Sequence, residues 1–273
     1  MNQNKDFNYQ IIGSDSPSKF VFLHGILGRG RNWLGLAKKL SSTQQCLIFD
    51  QRGHGDSFKP EQGYQLHDYV EDLKDLLSQL NWSAPINLVG HSMGGRVALT
   101  FADLYPMRVR RLCIVDIGPT SNWASMEAIL EKIRFVPTPF ADRQQARLFM
   151  ETKFLDRYQD KLLMEFFYSN LRSINNRYDW VFSKQGVRQT LESSRYRDYW
   201  AEFKNLKMPT LLLRGEKSQD LSREDYEQVL ANNPNIKGQV VKGAGHWVHA
   251  EKPEETEVLL RQFFNIADGA DQC

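Results

Sequence analysis

The stretch of this chain that most constrains its fold is residues 88–95, which read LVGHSMGG. The apolar run 86–89 predicts a buried strand, and a helical pattern follows at once, from about residue 93 to 105. A sharp strand-to-helix turn must therefore centre on Ser92, where the flanking glycines let the chain double back. A serine held there presents its hydroxyl at the end of a strand. The plainer interpretation is a structural turn whose serine has no chemical role.

The first 120 residues alternate short apolar runs with helical patterns, which is typical of a parallel sheet covered by helices on both faces. Such doubly wound sheets bind ligands at the edge where the carboxyl ends of their strands meet. The predicted strands are 20–23, 46–49, 86–89 and 112–115, and the predicted helices are about 32–40, 66–80 and 93–105.

The alternation stops between about Thr120 and Asn205, where the sequence becomes helical and rich in large apolar and aromatic side chains. It resumes with predicted strands at 209–215 and 239–241. We therefore predict an α/β core formed by residues 1–119 and 206–273, with a helical cap, residues 120–205, inserted over the sheet edge. Most aromatic residues of the cap are expected to form its own core, and a few to line an apolar pocket.

Composition excludes several classes of function. The formal net charge of +2 is too small to predict nucleic acid as a partner. No run approaches the ~20 apolar residues of a membrane span, and the N-terminus lacks the apolar core of a signal peptide. We therefore expect a cytoplasmic protein without membrane association.

Cysteine usage and motif content predict neither a disulfide framework nor a cofactor. The three cysteines are odd in number, and Cys46 and Cys113 fall inside apolar strand-like runs, while Cys273 ends the chain. No Cys/His spacing resembles a zinc site, and no stretch matches a P-loop or a dinucleotide fingerprint. We therefore predict no metal and no cofactor.

The loop 24–28, His-Gly-Ile-Leu-Gly, directly follows the first predicted strand. Its glycines free the backbone to turn N–H groups toward a ligand, so the amide of Ile26, with that of Met93, is positioned to bind a developing oxyanion. Loss of one such donor typically costs ~3 kcal/mol of transition-state stabilisation. The alternative is an ordinary strand-to-loop turn.

The loop 50–57 also follows a predicted strand and is rich in turn formers and charge. We expect Arg52 and Asp56 to tie this loop together internally, in a structural rather than a chemical role. His54 and His67 are expected to be loop or surface residues.

An acid and a histidine follow Ser92 in the chain. Asp116 comes at the carboxyl end of the predicted strand 112–115, and His246 lies in a glycine-flanked loop after the last strand. Both positions fall at the ligand-binding edge of the predicted sheet. His249 is expected to brace the loop of His246. The order nucleophile, acid, histidine is that of a serine hydrolase triad on an α/β sheet.

These residues carry a resemblance to the α/β-hydrolase family that extends over nearly the whole chain. The resemblance implies Ser92 as nucleophile, His246 as general base and then acid, the amides of Ile26 and Met93 as the oxyanion hole, and a covalent acyl-enzyme. The matching motifs occur in the family's order: His24-Gly25, Asp50-x-Arg52-Gly53-x-Gly55-x-Ser57, Gly90-x-Ser92-x-Gly94-Gly95 and Gly245-His246.

The acid of the triad departs from the usual family pattern. Most members carry Gly-x-x-Asp after the penultimate strand, but here the position of the aspartate holds Ser218, with Asp220 two residues later. Asp116 instead resembles the Asp-Ile-x-Pro element of the YbfF-type bacterial acyl esterases, in which the acid follows the earlier strand. Our hypothesis is Asp116 as the partner of His246, with Asp220 as the alternative.

The resemblance implies a hydrolase of carboxylic esters or acyl thioesters with small to medium acyl groups. A serine at the turn argues against dehalogenases and epoxide hydrolases, which carry an aspartate there. Four alternatives use the same fold: carbon–carbon bond hydrolysis of dienone acids, lactone hydrolysis, perhydrolase side chemistry, and a non-catalytic ligand-binding role.

Overall fold

The computed structural model describes residues 5–266. Its strands are four to seven residues long. In chain order the strands are β1 (Tyr9–Ile12), β2 (Lys19–Leu23), β3 (Gln45–Phe49), β4 (Ile86–His91), β5 (Val109–Val115), β6 (Leu171–Ile174), β7 (Arg177–Trp180), β8 (Thr210–Gly215) and β9 (Ile236–Val241).

The α-helices vary in length from a single turn to fourteen residues. They are α1 (Leu34–Leu40), α2 (Leu66–Gln79), α3 (Met93–Leu104), α4 (Trp123–Phe135), α5 (Arg143–Phe149), α6 (Leu155–Tyr158), α7 (Lys161–Ser169), α8 (Lys184–Ser193), α9 (Trp200–Asn205), α10 (Arg223–Asn232), α11 (Val248–Glu251) and α12 (Pro253–Phe264).

Seven strands form the main sheet, in the order β1-β3-β2-β4-β5-β8-β9. β1 pairs antiparallel with β3, and every other neighbouring pair in this sheet is parallel. The six strands β2, β3, β4, β5, β8 and β9 confirm the predicted parallel sheet. β1 was not predicted, because it is a four-residue edge strand with mostly exposed side chains and therefore lacks a strong apolar pattern.

Both faces of the sheet are buried, as β2 illustrates. Successive side chains of a strand point to opposite faces, so Val21 and Leu23 join the apolar cluster that contains α2 and α3. Phe20 and Phe22 join the opposite cluster, which contains α1 and α12. The sheet is therefore doubly wound, as predicted, and its loops are confined to its two ends.

The segment between β5 and β8, which carries α4 to α9, is called the insert below. Most of its buried apolar side chains form a third cluster, which Leu27 joins, whereas Tyr199 and Phe203 belong to the sheet-face cluster with α2 and α3. Aromatic rings pack against one another in the third cluster, for example Phe154 on Phe167 with centroids 5.1 Å apart. The insert thus builds a core of its own. The division into a core of 1–119 and 206–273 and a cap of 120–205 remains our interpretation.

The sequence predicted a helical cap, and the insert contains α4 to α9 together with one element that was not predicted. The insert contains a hairpin in which β6 and β7 pair antiparallel. Asn175 and Asn176 connect the two strands, with φ of 49° and 60°. A two-residue hairpin turn of this kind requires positive φ at both positions, which asparagine tolerates better than most residues. The missed signal was therefore an Asn-Asn pair between two runs that contain β-branched and aromatic residues.

Two further observations concern the predictions from composition. No helix within residues 5–266 is long and apolar enough to cross a bilayer. Cys46 and Cys113 are buried, unpaired thiols on β3 and β5, whereas Cys273 lies outside the described residues.

Candidate active site

Ser92 occupies the turn between β4 and α3 in a strained conformation, with φ of 52° and ψ of −121°. Its neighbours must be glycines: a Cβ on Gly90 would lie 2.2 Å from the carbonyl oxygen of Gly94, and one on Gly94 would lie 2.4 Å from that of Leu23. The Ser92 amide donates to the carbonyl of Val115 at 3.1 Å. The backbone around the serine is thus fixed by close packing, and the predicted turn is present.

His246 lies in the loop between β9 and α11, and Ser92 and His246 line the same cavity. The Nδ1 atom of His246 is 2.8 Å from Oδ2 of Asp116. A carboxylate accepts only, so Nδ1 carries the proton and donates it to Asp116, which leaves Nε2 as the basic nitrogen. The structure therefore brings the predicted serine, histidine and acid to one edge of the sheet.

Asp116 is fully buried just beyond β5, with φ of 56°. Its Oδ1 accepts the amide proton of Gly215 at 2.8 Å, and its Oδ2 accepts the hydroxyl proton of Ser218 in addition to that of His246. These donors offset the cost of burying the carboxylate. Ser218 occupies the position of the usual family acid and here donates to Asp116, the acid of our hypothesis.

Asp220, the alternative acid, also lies beside His246. Its Oδ2 is 3.5 Å from Nδ1 of His246, which is longer than a good charge-assisted hydrogen bond. Its backbone amide donates to the hydroxyl of Ser218 at 3.1 Å. Distance and burial both favour Asp116 as the hydrogen-bonding partner, while Asp220 acts on the imidazole through its charge.

The pKa values of the buried histidines separate His246 from the others. Burial by itself lowers the pKa of His246, but the hydrogen bond to Asp116 and the charges of Asp220 and Asp116 outweigh it, and the net pKa is raised. Burial lowers the pKa of both His54 and His249 to about 3. Of these imidazoles, only the one beside two carboxylates is set up to accept a proton near neutral pH.

The amides of Ile26 and Met93 are the predicted oxyanion donors. Met93 is the first residue of α3, so its N–H is one of the free donors at a helix N-terminus. Across residues 5–266, neither amide has a hydrogen-bond acceptor. Both residues border a cavity that Ser92 also lines. Two free donors beside the serine hydroxyl are the arrangement that an oxyanion requires.

The loop that carries Ile26 is held by His54. Leu27, at φ of 62°, donates its amide proton to Nε2 of His54 at 3.3 Å, and Nδ1 of His54 lies 2.9 Å from the carbonyl of Arg52. His54 is a loop residue, as expected, but it is buried, whereas His67 is exposed. The sequence gives no sign that the loop 50–57 folds beneath the loop 24–28.

The expected ion pair within the loop 50–57 was also wrong. Arg52 is buried and makes a bidentate pair with Asp72 of α2, with Nη2 to Oδ1 at 2.5 Å. Asp56 instead faces outward and pairs with Arg172 of the insert, with Nη1 to Oδ2 at 2.8 Å. The loop is braced, but by its neighbours, because its turns point the two side chains in different directions.

Two residues that the sequence analysis missed hold the His246 loop. Nε2 of His91 lies 2.9 Å from the carbonyl of His246. Glu251 accepts the amide protons of Gly245 at 2.7 Å and of Trp247 at 3.1 Å. The only available signal was their position next to the serine and after the histidine, respectively. Together they fix the backbone on both sides of the imidazole.

His249 was expected to brace the same loop, and its imidazole packs against the rings of other residues. It stacks on Trp33 with centroids 4.1 Å apart and lies 4.7 Å from His91. It therefore supports the loop through His91 and the sheet-face cluster that contains Trp33. His91 in turn requires Gly25 opposite it, where a Cβ would lie 2.8 Å from Nδ1 of His91.

The cavity above Ser92 and His246, called the main cavity below, has a volume of about 600 Å³. The insert contributes most of its apolar wall, as expected, and the loop of His246 contributes the rest. Its larger apolar side chains are Ile129, Leu162, Leu163, Phe166, Phe167 and Trp247. The cavity therefore suits a substrate with an apolar portion.

Similarity to known proteins is consistent across sequence and structure. The esterase YbfF of Escherichia coli strain K12 is 28% identical over 251 residues, which cover 91% of this chain and 93% of that protein. The sn-1-specific diacylglycerol lipase ABHD11 of Danio rerio is 32% identical over 256 residues, which cover 91% and 79%. The crystal structure of E-2-(acetamidomethylene)succinate hydrolase superposes with a TM-score of 0.84, at 27% identity and 96% coverage of both chains.

A family model of the α/β hydrolase fold matches residues 19–253, which include every candidate site residue. The topology of the sheet and the strand-end positions of the site agree with this match. The chain therefore belongs to the α/β hydrolase fold family.

Proposed function

We propose that this protein is a serine hydrolase that cleaves carboxylic esters or acyl thioesters through an acyl-enzyme on Ser92. The observation that carries the proposal is the hydrogen bond of 2.8 Å between Nδ1 of His246 and the buried carboxylate of Asp116. This bond leaves Nε2 as a base in a cavity that Ser92 shares. It also stabilises the imidazolium that forms when the serine proton is taken up.

The reaction has two halves. In the first, Oγ of Ser92 attacks the acyl carbonyl carbon while Nε2 of His246 accepts the hydroxyl proton, and the amides of Ile26 and Met93 bind the oxyanion. The intermediate collapses when the carbon–oxygen or carbon–sulfur bond breaks and His246 protonates the leaving group. In the second half, water attacks the acyl-enzyme by the same route and releases the acid.

The substrate class follows from the cavity and the relatives. The apolar wall of the main cavity supports an acyl or alcohol portion with hydrocarbon character. The related proteins named an esterase and a diacylglycerol lipase support ester bonds as the target. We therefore propose ester hydrolysis as the main activity, with thioesters as the closest variant.

Hydrolysis of a p-nitrophenyl ester series from acetate to palmitate tests the proposal, with the wild type and Ser92→Ala assayed in parallel. We expect an optimum in chain length for the wild type, and a loss of about 10³-fold or more in kcat for the variant. Ser125→Ala is a matched control, because Ser125 also lines the main cavity but has no place in the mechanism.

Two results would contradict the proposal. Equal rates for the wild type and Ser92→Ala would remove the serine from the chemistry. Rapid turnover of a dienone acid together with negligible ester hydrolysis would favour carbon–carbon bond hydrolysis instead.

A further inference from the structure

Arg96 is a buried cation on α3, one helical turn beyond Ser92. It is only 7% exposed. Nη1 donates to the hydroxyl of Ser121 at 3.0 Å, and the guanidinium lies 4.7 Å above the ring of Tyr199. Neither neighbour carries a negative charge. The proposed mechanism assigns no role to this residue.

No carboxylate among the described residues lies within 4.0 Å of the Arg96 guanidinium, and its remaining N–H donors have no acceptor there. Arginines are rarely buried without a counterion, because removing the charge from water is costly. Arg52, which is equally buried, shows the usual solution in its bidentate pair with Asp72. The free N–H donors of Arg96 are therefore available to bind a ligand.

Arg96 lines a second cavity, called the small cavity below, of about 60 Å³. Ser92, His246 and both proposed oxyanion residues, Ile26 and Met93, border it as well. The main cavity, by contrast, includes Ile26 but not Met93. Since the two amides would bind the acyl carbonyl oxygen, the small cavity is the space into which a short acyl chain continues.

The other charged groups of this wall are Asp220 and His246. Asp220 directs Oδ2 toward Nδ1 of His246 at 3.5 Å, so its charge is matched by the imidazolium that forms during the reaction. Within residues 5–266, Arg96 has no such carboxylate partner. A carboxylate on the substrate would supply it, with hydrogen bonds to the free guanidinium donors.

We propose that Arg96 binds a carboxylate at the far end of the acyl group, so that the preferred substrates are monoesters or monothioesters of short dicarboxylic acids. The inference rests on the proposed ester hydrolysis and adds the identity of the acyl group. Arg96 is then a residue that determines specificity, and the leaving group occupies the apolar main cavity.

The test compares p-nitrophenyl monoesters of succinate, glutarate and adipate with their neutral monoamide isosteres, after correction for spontaneous hydrolysis. We expect the wild type to prefer the anionic ester at one of these lengths by about 10-fold or more in kcat/KM. Arg96→Gln should lose this preference while it retains activity on the neutral isostere, and Arg96→Lys should keep part of it.

Arg195→Gln is the matched control, because Arg195 is an exposed arginine of the insert that lines neither cavity. It should leave the preference unchanged. An equal loss on both ester types in Arg96→Gln would assign Arg96 a purely structural role and overturn the proposal. Absence of a preference in the wild type would overturn it whether or not the variant folds.

A binding measurement separates this inference from the proposed function. Titration calorimetry with glutarate and with glutaramide needs no turnover. If no ester is hydrolysed but glutarate binds the wild type and not Arg96→Gln, the anion site stands and the esterase proposal fails. If esters are hydrolysed without discrimination and glutarate does not bind, the esterase proposal stands and the anion site fails.

Discussion

The sheet edge that carries the candidate site and the insert that covers it are built by different means. At the edge, Ser92 and Asp116 both hold positive φ, and hydrogen bonds fix the surrounding loops. The insert is stabilised mainly by the packing of apolar and aromatic side chains, and it carries ion pairs on its surface. The edge therefore depends on particular atoms at particular positions, whereas the insert depends mainly on side-chain volume and hydrophobicity.

This difference has an energetic counterpart. A non-glycine residue at positive φ costs roughly 1–3 kcal/mol, and it persists only where the surroundings hold it. The hydrogen bond from the Ser92 amide to Val115 and that from the Asp116 amide to Leu213, at 2.8 Å, are part of that restraint. Positive φ also occurs in the insert, but at Gln159 after a helix end and at Asn175 and Asn176 in the hairpin turn. Substitutions in the packed interior of the insert should therefore affect stability or specificity more than chemistry.

The largest loss of activity is expected for Asp116→Asn at the edge. The amide cannot stabilise an imidazolium, so kcat should fall about 10³- to 10⁴-fold, whereas Asp220→Asn should lose less than about 10-fold. Steady-state kinetics on one p-nitrophenyl ester, with thermal unfolding as a check of folding, measure both effects. Full activity in Asp116→Asn with an inactive Asp220→Asn would reverse the assignment of the acid.

A second test places one methyl group at the edge. In Gly25→Ala the new Cβ would lie 2.8 Å from Nδ1 of His91 and 3.2 Å from Cβ of Ser92, so we expect a loss of about 10²-fold in kcat/KM. Gly35→Ala in α1 is the control, because no atom lies within 4 Å of its new Cβ. It should retain activity and gain about 0.5–1 kcal/mol in the free energy of unfolding. Equal behaviour of the two variants would refute the packing argument.

The pH dependence of kcat/KM tests the electrostatics of the sheet edge. In the proposed mechanism His246 must be neutral to accept the serine proton, so we expect activity above its pKa and a loss of activity as the pH falls through it. Because the pKa of His246 is raised, with the charge of Asp220 among the causes, Asp220→Asn should move the acidic limb of kcat/KM to lower pH. Asp160→Asn removes a charge from the main cavity wall and keeps the cap of α7, so its limb should move less. An unchanged limb in Asp220→Asn would contradict the electrostatic role.

The smallest effect is expected where the two regions meet. Arg172 and Asp56 form an ion pair between the insert and the loop 50–57, but both side chains are nearly half exposed. Arg172→Gln should lower the free energy of unfolding by about 1 kcal/mol or less, and the difference should shrink at high salt. Denaturant unfolding at two ionic strengths measures it. A decrease of more than about 2 kcal/mol in the free energy of unfolding would show that this ion pair stabilises the protein more than an exposed pair is expected to.

The sequence predicted the residues whose position follows from topology. Ser92, Asp116 and His246 each follow a strand, and a parallel sheet brings such ends together whatever the loops do. The same reasoning failed where loop conformation decides. Nothing local indicates that His54 accepts a hydrogen bond from the amide of Leu27, that Ser218 donates to Asp116, or that Arg96 lacks a carboxylate partner among residues 5–266.

The fold shows the same division. The six parallel strands were predicted, most of them from largely apolar and buried stretches, whereas β1 is short and exposed. The hairpin of the insert depends on Asn175 and Asn176 at positive φ, a feature that helical and aromatic composition conceals. The apolar patterns of the buried strands could therefore be recognised in the sequence, whereas the turn that makes the hairpin of the insert could not.

The buried histidines also bear on the acid tolerance of the molecule. His54 and His249 keep a pKa of about 3, and burial lowers the pKa of His24 and His91 as well. In the unfolded chain these imidazoles take up protons below about pH 6.5, which the folded chain does not. The unfolded state therefore gains protons, and relative stability, as the pH falls from about 6.5 toward 3. The imidazoles that position the site therefore make the folded protein less stable as the pH falls below about 6.5.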